Sequence, residues 1–436
     1  MQPVDQIDLD ITSVAHGGVF VGRHEGRVVF VSDAIPGERV RVRLTQTGEK
    51  SFWRGETVEV LDASPHRRSH VWRAADVDVA PERRPGGADF GHIELAHQRE
   101  LKLDVLRDAL ARIGGLDTPA RMIAVDDTDG TGWRTRLSLH VDDAGRIGPF
   151  ATRSHEVIEV DDLPLATAAI NRVAANVHAT AAGRIDLVQS SDGRVHIVPR
   201  PSERAPRPRG RRRTEDERRA AQAIASRAKH AADAARDVVI ERVGDRAFRV
   251  DAGGFWQVHR KAAAALSGLV TASLPDLDPE ATHLDLYGGV GLFAAALGAR
   301  GGDATRVVSV ESDPRATEHA GENLAEWLGA RAETARVDRW LPQLHETSSP
   351  RELERLSRGV VVLDPPRSGA GAAVVDGIVA LNPTRIVYVA CDPVALARDL
   401  KTFRAAGYEA SEITAVDLFP HSHHVEAVAA LTRTSR

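Results

Sequence analysis

The sequence predicts an α/β protein, with a doubly wound, Rossmann-like sheet in its C-terminal part, a small OB-like β-barrel at its start and a mostly β central domain between them. Three observations carry this. From about residue 241 onward, apolar strands alternate with helical periods, at 283–287, 306–311, 359–364 and 385–390, with closing strands near 413–418 and 424–431; that alternation means parallel βαβ units. Residues 4–62 hold short alternating strands broken by Gly17-Gly18, Pro36-Gly37 and Thr47-Gly48, the spacing of a small barrel. From Trp133 to Val198 strands recur with little helical periodicity.

Taken in order, 4–62 is the expected barrel. Its strand Glu38-Arg-Val-Arg-Val-Arg-Leu44 puts Arg39, Arg41 and Arg43 on one face and Val40, Val42 and Leu44 on the other. A solvated edge and an RNA-facing edge both fit that row, although acidic residues slightly outnumber basic ones across the segment. Residues 63–95, rich in Arg, Pro and Gly without an apolar period, read as a linker or a loosely ordered lobe. Over 96–119, Leu101, Val105, Leu106, Leu110 and Ile113 recur at helical spacing and Gly114-Gly115 ends the helix, which is expected to pack on the C-terminal domain. The central domain spans 120–244 and is interrupted at 199–219 by nine arginines with Pro199, Pro201, Pro206 and Pro208. Such a segment cannot bury a core; a solvated insertion and a phosphate-contacting arm share this composition. An Ala-rich charged helix follows over 216–237, and the wound sheet occupies 245–436.

Of 436 residues, 42% are hydrophobic and 27% charged, an ordinary globular balance with enough apolar mass for several cores. The single cysteine, Cys391, excludes an internal disulfide and a metal or iron–sulfur site built on several cysteines. Met1-Gln-Pro-Val-Asp lacks a basic-then-apolar leader, and no run approaches the roughly 18 apolar residues of a membrane span. A cytoplasmic protein without a membrane partner is therefore expected. The net charge of −5 leaves nucleic acid open, because such binding depends on local patches.

The chemistry gathers at strand ends. Leu284-Asp-Leu-Tyr-Gly-Gly-Val-Gly-Leu-Phe293 runs from a strand through a Gly-rich turn into a helix, and Glu311 ends the next strand 20 residues past Gly291. A backbone open to close approach, followed by an acid for ribose hydroxyls, makes a nucleoside-cofactor site. The glycines depart from the dinucleotide spacing, so S-adenosylmethionine fits better than a nicotinamide cofactor. The next strand closes on Asp364-Pro-Pro-Arg367, whose two prolines fix an extended corner. Arg385-Ile-Val-Tyr-Val-Ala-Cys391-Asp-Pro393 is a buried strand with a thiol at its carboxyl end, where ligands of open α/β sheets collect. Taken alone, that cysteine reads more readily as a small buried hydrophobe than as a nucleophile. His421, His423 and His424 lack an accompanying ligand set, and no metal site is expected.

Four ordered motifs resemble one family, the S-adenosylmethionine-dependent RNA 5-methyluridine methyltransferases. Gly253-Gly-Phe-Trp-Gln257-Val-His is similar to its Gly-Ser-Phe-Phe-Gln-Val-Asn, Asp364-Pro-Pro-Arg367 to its Asp-Pro-Pro-Arg, and Tyr388-Val-Ala-Cys391-Asp-Pro to its Tyr-Val-Ser-Cys-Asn-Pro. Leu418-Phe-Pro-His-Ser-His-His-Val-Glu426 resembles its closing Met-Phe-Pro-His-Thr-x-His-Val-Glu. The resemblance is close over 245–436 and implies a class I methyltransferase fold there; 4–62 resembles the TRAM domain, an RNA-binding barrel. Many members hold an iron–sulfur cluster on four cysteines; Val79, Pro85, Ala88 and Leu163 align with those positions, so no cluster is expected. Leu292 and Asp392 stand where members often have Asn.

The resemblance implies site roles as well. Cys391 would add to carbon 6 of uracil, making carbon 5 nucleophilic, and Glu426 would remove the carbon 5 proton. Gln257, Tyr287, Gly289, Gly291, Glu311, Asp338 and Asp364 would hold the cofactor, Gln257 bridging to the base and Asp364 orienting it. Phe255, Trp256 and Arg367 would meet the extruded target. The expected partner of this monomer is RNA, ribosomal ahead of transfer RNA. Two alternatives stay open: a methyltransferase on another nucleobase position such as cytosine carbon 5, disfavoured by the lack of a second cysteine, and an RNA-binding or ribosome-assembly factor with minor catalysis.

Overall fold

A computed structural model describes residues 6–48, 51–125, 128–179, 181–202 and 215–434. Five strands, β1 (Gln6–Ala15), β2 (Val19–His24), β3 (Arg27–Ser32), β4 (Arg39–Gln46) and β5 (Phe52–Asp62), close into a barrel. Alternation on β4 buries Val40, Val42 and Leu44 with Leu9, Ile11, Val29 and Val31. The opposite row of arginines is already paired: Arg41 with Asp8 and Glu59, and Arg43 with Glu56 and Glu82. The bland reading of that row, a solvated face, has the better support.

The stretch 63–95, expected as a linker or a loosely ordered lobe, is packed. Trp72, Ala75 and Ala88 are buried with Trp133 and Leu165, while Phe90 and Ile93 join the barrel core. The Arg84 guanidinium is buried against Asp33 at 2.8 Å and accepts no solvent exposure because three backbone carbonyls also receive its protons. Local apolar period was absent because this segment is held by side chains reaching the backbone rather than by a helix or strand. Helix α1 (Leu95–Ala109) follows, continued by one wider turn and stopped by Gly115 at φ 61°. Its Lys102 is fully buried, donating to Asp417 at 2.7 Å and to the Phe419 carbonyl at 2.8 Å.

Strand β6 (Ala120–Ala124) leaves the central region and pairs parallel with the last part of the large sheet. The central sheet itself is β7 (Arg136–Val141), β8 (Ile147–Gly148), β9 (Gly183–Gln189) and β10 (Val195–Pro201), covered by α2 (Ala168–Ala174). Residues 203–214 of the arginine-rich segment lie outside the described residues. Helix α3 (Glu215–Ala235) leads to a hairpin of β11 (Val238–Val243) and β12 (Arg246–Asp251), then α4 (Ala262–Ser273).

The wound domain alternates β13 (Thr282–Leu286), α5 (Leu292–Gly301), β14 (Arg306–Glu311), α6 (Pro314–Asn323), β15 (Ala330–Thr334), α7 (Val337–Thr347), α8 (Pro350–Ser357), β16 (Val360–Leu363), α9 (Ala372–Leu381), β17 (Arg385–Ala390) and α10 (Pro393–Ala405). It closes with β18 (Tyr408–Asp417) and β19 (Glu426–Arg433). Eight strands run in the order β15-β14-β13-β16-β17-β19-β18-β6. Strand β15 escaped the sequence reading because Ala-Arg-Ala-Glu-Thr is short, polar and half-buried, as an edge strand can be. Both faces are covered: Ile386 and Tyr388 enter one core, Val387 and Val389 the other. Each such side chain contributes about 2 kcal/mol on burial, which is why β17 is a continuous apolar run. The chain winds outward from β13 to β14 and β15 and then crosses back to set β16 on the other side of β13, and ligands of such sheets lie at the carboxyl ends around that switch point.

Candidate active site

A cleft of ≈ 1200 Å³ opens at those carboxyl ends. It is lined by Gln257, Phe255, Tyr287, Gly289, Glu311, Asp338, Asp364, Arg367, Cys391 and Glu426, so ten of the sequence-predicted residues meet there. Gly291 stands behind the wall: at φ 90° it is the residue before α5, a conformation that glycine adopts without strain. Gly288 packs so closely that a Cβ would lie 2.1 Å from the Ser309 hydroxyl. Trp256 does not line the cleft. It is only 7% exposed and packs against Phe248 at 5.5 Å between ring centres, whereas its neighbour Phe255 is 72% exposed. Neighbouring side chains of this stretch point to opposite sides, Trp256 into the core and Phe255 toward the cleft.

Glu311 is held ready for a ligand by its own turn: one carboxylate oxygen accepts from the amides of Ser312 and Asp313, the other from Gly289 at 3.2 Å. Asp338 is paired with Arg336 at 2.9 Å, which keeps its carboxyl below the usual range. Beneath the glycine turn lies Asp285, which the sequence reading passed over. It is fully buried, accepts the Ala294 amide at 2.9 Å, and is pushed up to about 7 by burial.

At the chemical end, strand register fixes who meets whom. The antiparallel β17–β19 ladder ends at Ala390 and Ala427; Cys391 and Glu426 are the next residue on each strand, so the register carries them toward each other, and the Glu426 carboxylate acts on the thiol. Asp364 follows β16, the other neighbour of β17, and its amide donates to the Leu286 carbonyl at 3.2 Å. Burial and then Asp364 hold the Glu426 carboxyl well above the usual range, with Arg367 opposing. Asp364 itself is pushed up to about 7 by burial and Asp285. The Cys391 thiol is pushed up to about 12, by burial first and by Glu426 and Asp364 next; Arg367 pulls it back. Around Cys391 the Asp364 and Glu426 carboxyls share one cation, Arg367, so a ligand that brings positive charge to that end, as the sulfonium of S-adenosylmethionine would, favours the ionised forms there.

Alkylation of the free protein checks this environment. At pH 8 a thiol raised three pH units has about a thousandth of the usual thiolate, and intrinsic nucleophilicity recovers about thirtyfold, so iodoacetamide should label Cys391 roughly 30-fold more slowly than an exposed thiol. The rate should climb about tenfold per pH unit from 7 to 9, since the thiol titrates above that window. A plateau near pH 8 would contradict the assignment.

Two further groups had weak sequence signals. Arg134 lines the cleft, lies over Trp133, and donates from Nε to the Arg136 carbonyl at 3.0 Å; among the described residues no carboxylate pairs with it. His424 accepts from the Arg367 guanidinium at 3.3 Å and stays neutral, its imidazole pushed down to about 3 by burial and by His423. The three late histidines go separate ways: His421 to Gln98 and the Asp129 carbonyl, His423 to Asp89, His424 to Arg367. Among the described residues no His, Cys, Asp and Glu side chains converge as a metal group. Ala88, Leu163 and the neighbouring Trp72 and Trp133 form apolar packing where cysteine ligands would be needed, and a cluster does not fit there.

Residues 247–434 match the family model described as tRNA (uracil-5-)-methyltransferase. A protein of Streptomyces avermitilis described as an RNA methyltransferase is 37% identical, over 98% of this chain and 98% of its own length. The chain belongs to the RNA uracil-5-methyltransferase family. A protein of Bifidobacterium longum, also described as an RNA methyltransferase, is 35% identical over 98% of this chain and 97% of its own length. Among solved structures, the tRNA (uracil-54, C5)-methyltransferase of Pyrococcus abyssi, in complex with S-adenosyl-L-homocysteine, shares the fold with a TM-score of 0.65. It covers 98% of this chain and all of that one at 20% identity. For this RNA uracil-5-methyltransferase, no helix among the described residues is long and apolar enough to cross a membrane.

Proposed function

We propose that this protein, acting as a monomer in the cytoplasm, methylates carbon 5 of a uridine in ribosomal RNA through a transient bond between Cys391 and the ring. The observation that carries the reading is the ladder register that opposes the one thiol to a buried carboxyl at the carboxyl edge of the sheet, with Asp364 on the neighbouring strand.

S-adenosylmethionine, bound along Tyr287, Gly289, Glu311 and Asp338, supplies an electrophilic methyl and a positive charge. Gln257 reaches the same cleft and is placed to bridge that ligand and the base. The target base, withdrawn from its stack at a cost of about a few kcal/mol, lies on exposed Phe255. Its ring enters between Asp364 and Arg367. The Cys391 thiol, its ionisation favoured by the bound sulfonium, gives its proton up to water; the thiolate adds to carbon 6, and the electron pair of the carbon 5–carbon 6 double bond moves to carbon 5 and the carbon 4 oxygen. Carbon 5 takes the methyl while still bearing its proton. Glu426, whose carboxyl burial holds well above the usual range and so makes a stronger base, removes that proton in its ionised form; the electrons restore the double bond between carbons 5 and 6 and expel the thiolate. Arg134 and Arg367 offer cations to the phosphates and carbonyls of the entering strand.

The test is nucleoside analysis of ribosomal and transfer RNA from a strain lacking the gene, with the purified protein added back. Loss of 5-methyluridine from ribosomal RNA and its restoration are expected. Loss from transfer RNA alone would overturn the choice of RNA, and unchanged 5-methyluridine in both would overturn the reaction.

A further inference from the structure

The turn between β1 and β2 reaches from the barrel to the nucleophile. His16 Nε2 lies 2.9 Å from Asp392 Oδ2, and Asp392 is the residue after Cys391. Next to it, Gly18 packs so tightly on His423 that an added Cβ would fall 2.8 Å from the ring; His423 in turn meets Asp89 at 2.6 Å. The barrel is thus seated on both segments of the catalytic edge, the one carrying Cys391 and the one leading to Glu426.

Asp392 is held at both oxygens. Oδ1 accepts the Ala395 amide at 2.8 Å and caps α10, while Oδ2 meets the barrel. Since Cys391 lies between the end of β17 and this cap, its backbone has a fixed strand behind it and a side chain pinned at two points ahead. We infer that His16 is a positioning residue for thiol addition, through which the barrel sets the placement of the Cys391 sulfur. Charge works in the same direction. Without the imidazole, Asp392 would stand as a further uncompensated carboxylate one residue from a thiol that already faces Glu426 and Asp364. The inference rests on the covalent reading above and adds to it a role for the barrel beyond holding RNA.

The experiment is single-turnover methyl transfer on saturating RNA, with RNA and cofactor affinity measured separately. His16 is half-exposed on a turn, so its variants should fold. His16→Ala should slow the step about tenfold, since misplacement of a reacting atom by under 1 Å has effects of that order, with both affinities within about twofold of wild type. His16→Gln, which still donates a hydrogen bond to Asp392, should recover most of the rate. Asp392→Ala, which removes this contact together with the α10 cap, should slow it at least as much, and the double variant His16→Ala with Asp392→Ala no further than Asp392→Ala alone, because the two side chains act as one contact. An unchanged rate in His16→Ala, additive losses in the double variant, or a loss of RNA affinity with the saturated rate intact would each overturn the inference. Failure of the underlying reading shows differently, as a wild-type protein that forms no covalent complex with 5-fluorouridine RNA.

Discussion

Cys391→Ala should lower methyl transfer by at least about 10⁴-fold while leaving the protein folded and able to bind RNA. The size follows from the chemistry. Carbon 5 of uracil is a weak nucleophile until carbon 6 is saturated, and no other thiol exists in the chain to do this. The structural cost is small. The side chain is half-buried at a strand end, and loss of one sulfur from such a place removes about 1 kcal/mol or less. RNA containing 5-fluorouridine supplies the complementary readout, because fluorine does not leave as a proton. Wild type should hold that RNA through denaturing electrophoresis, and Cys391→Ala should not. Turnover by the alanine variant within tenfold of wild type would remove the covalent step altogether.

The site was legible in the sequence where chemistry and strand ends coincide. Cys391, Asp364 and Glu311 each terminate an apolar run, and a parallel sheet delivers such residues to one edge whatever the details of its helices. Glu426 was legible for a different reason, its motif, since it opens its strand rather than closing it; only the antiparallel direction of β19 brings it to the same edge. Trp256 shows the limit. Phe255 and Trp256 look equivalent in a string of residues, and which one enters the core is decided by Phe248 on a strand that carries no motif. Packing of 63–95 was hidden likewise. Arg84, Arg67 and His92 hold that segment by hydrogen bonds to carbonyls far away in sequence, and such bonds leave no periodic trace. The arginine row on β4 left two readings open. Its spacing is that of an RNA-facing edge, yet Asp8, Glu56, Glu59 and Glu82 arrive from three other elements and neutralise two of its members. The pair His16 and Asp392, 376 residues apart, could be found only by folding the chain.

Glu426→Gln should stall the reaction one step later than the cysteine variant, with methylated RNA covalently attached to the protein. Glutamine preserves the shape of the side chain opposite Cys391 but accepts no proton, so carbon 5 keeps its hydrogen and the thiolate has no electron pair to expel it. Ordinary RNA, without fluorine, should then give a complex stable to denaturation and heavier than protein plus RNA by one methyl group. Turnover should fall by about 10²- to 10⁴-fold, the usual contribution of a positioned general base. A second consequence separates this role from a structural one. The Glu426 charge is one of the groups that raise the Cys391 thiol, so its removal lowers that thiol and should speed iodoacetamide labelling of the free variant above the wild-type rate. A Glu426→Gln protein that turns over normally would return the proton to some other acceptor, Asp364 first. One that makes no adduct and labels more slowly would show that Glu426 shapes the edge rather than serving as the base.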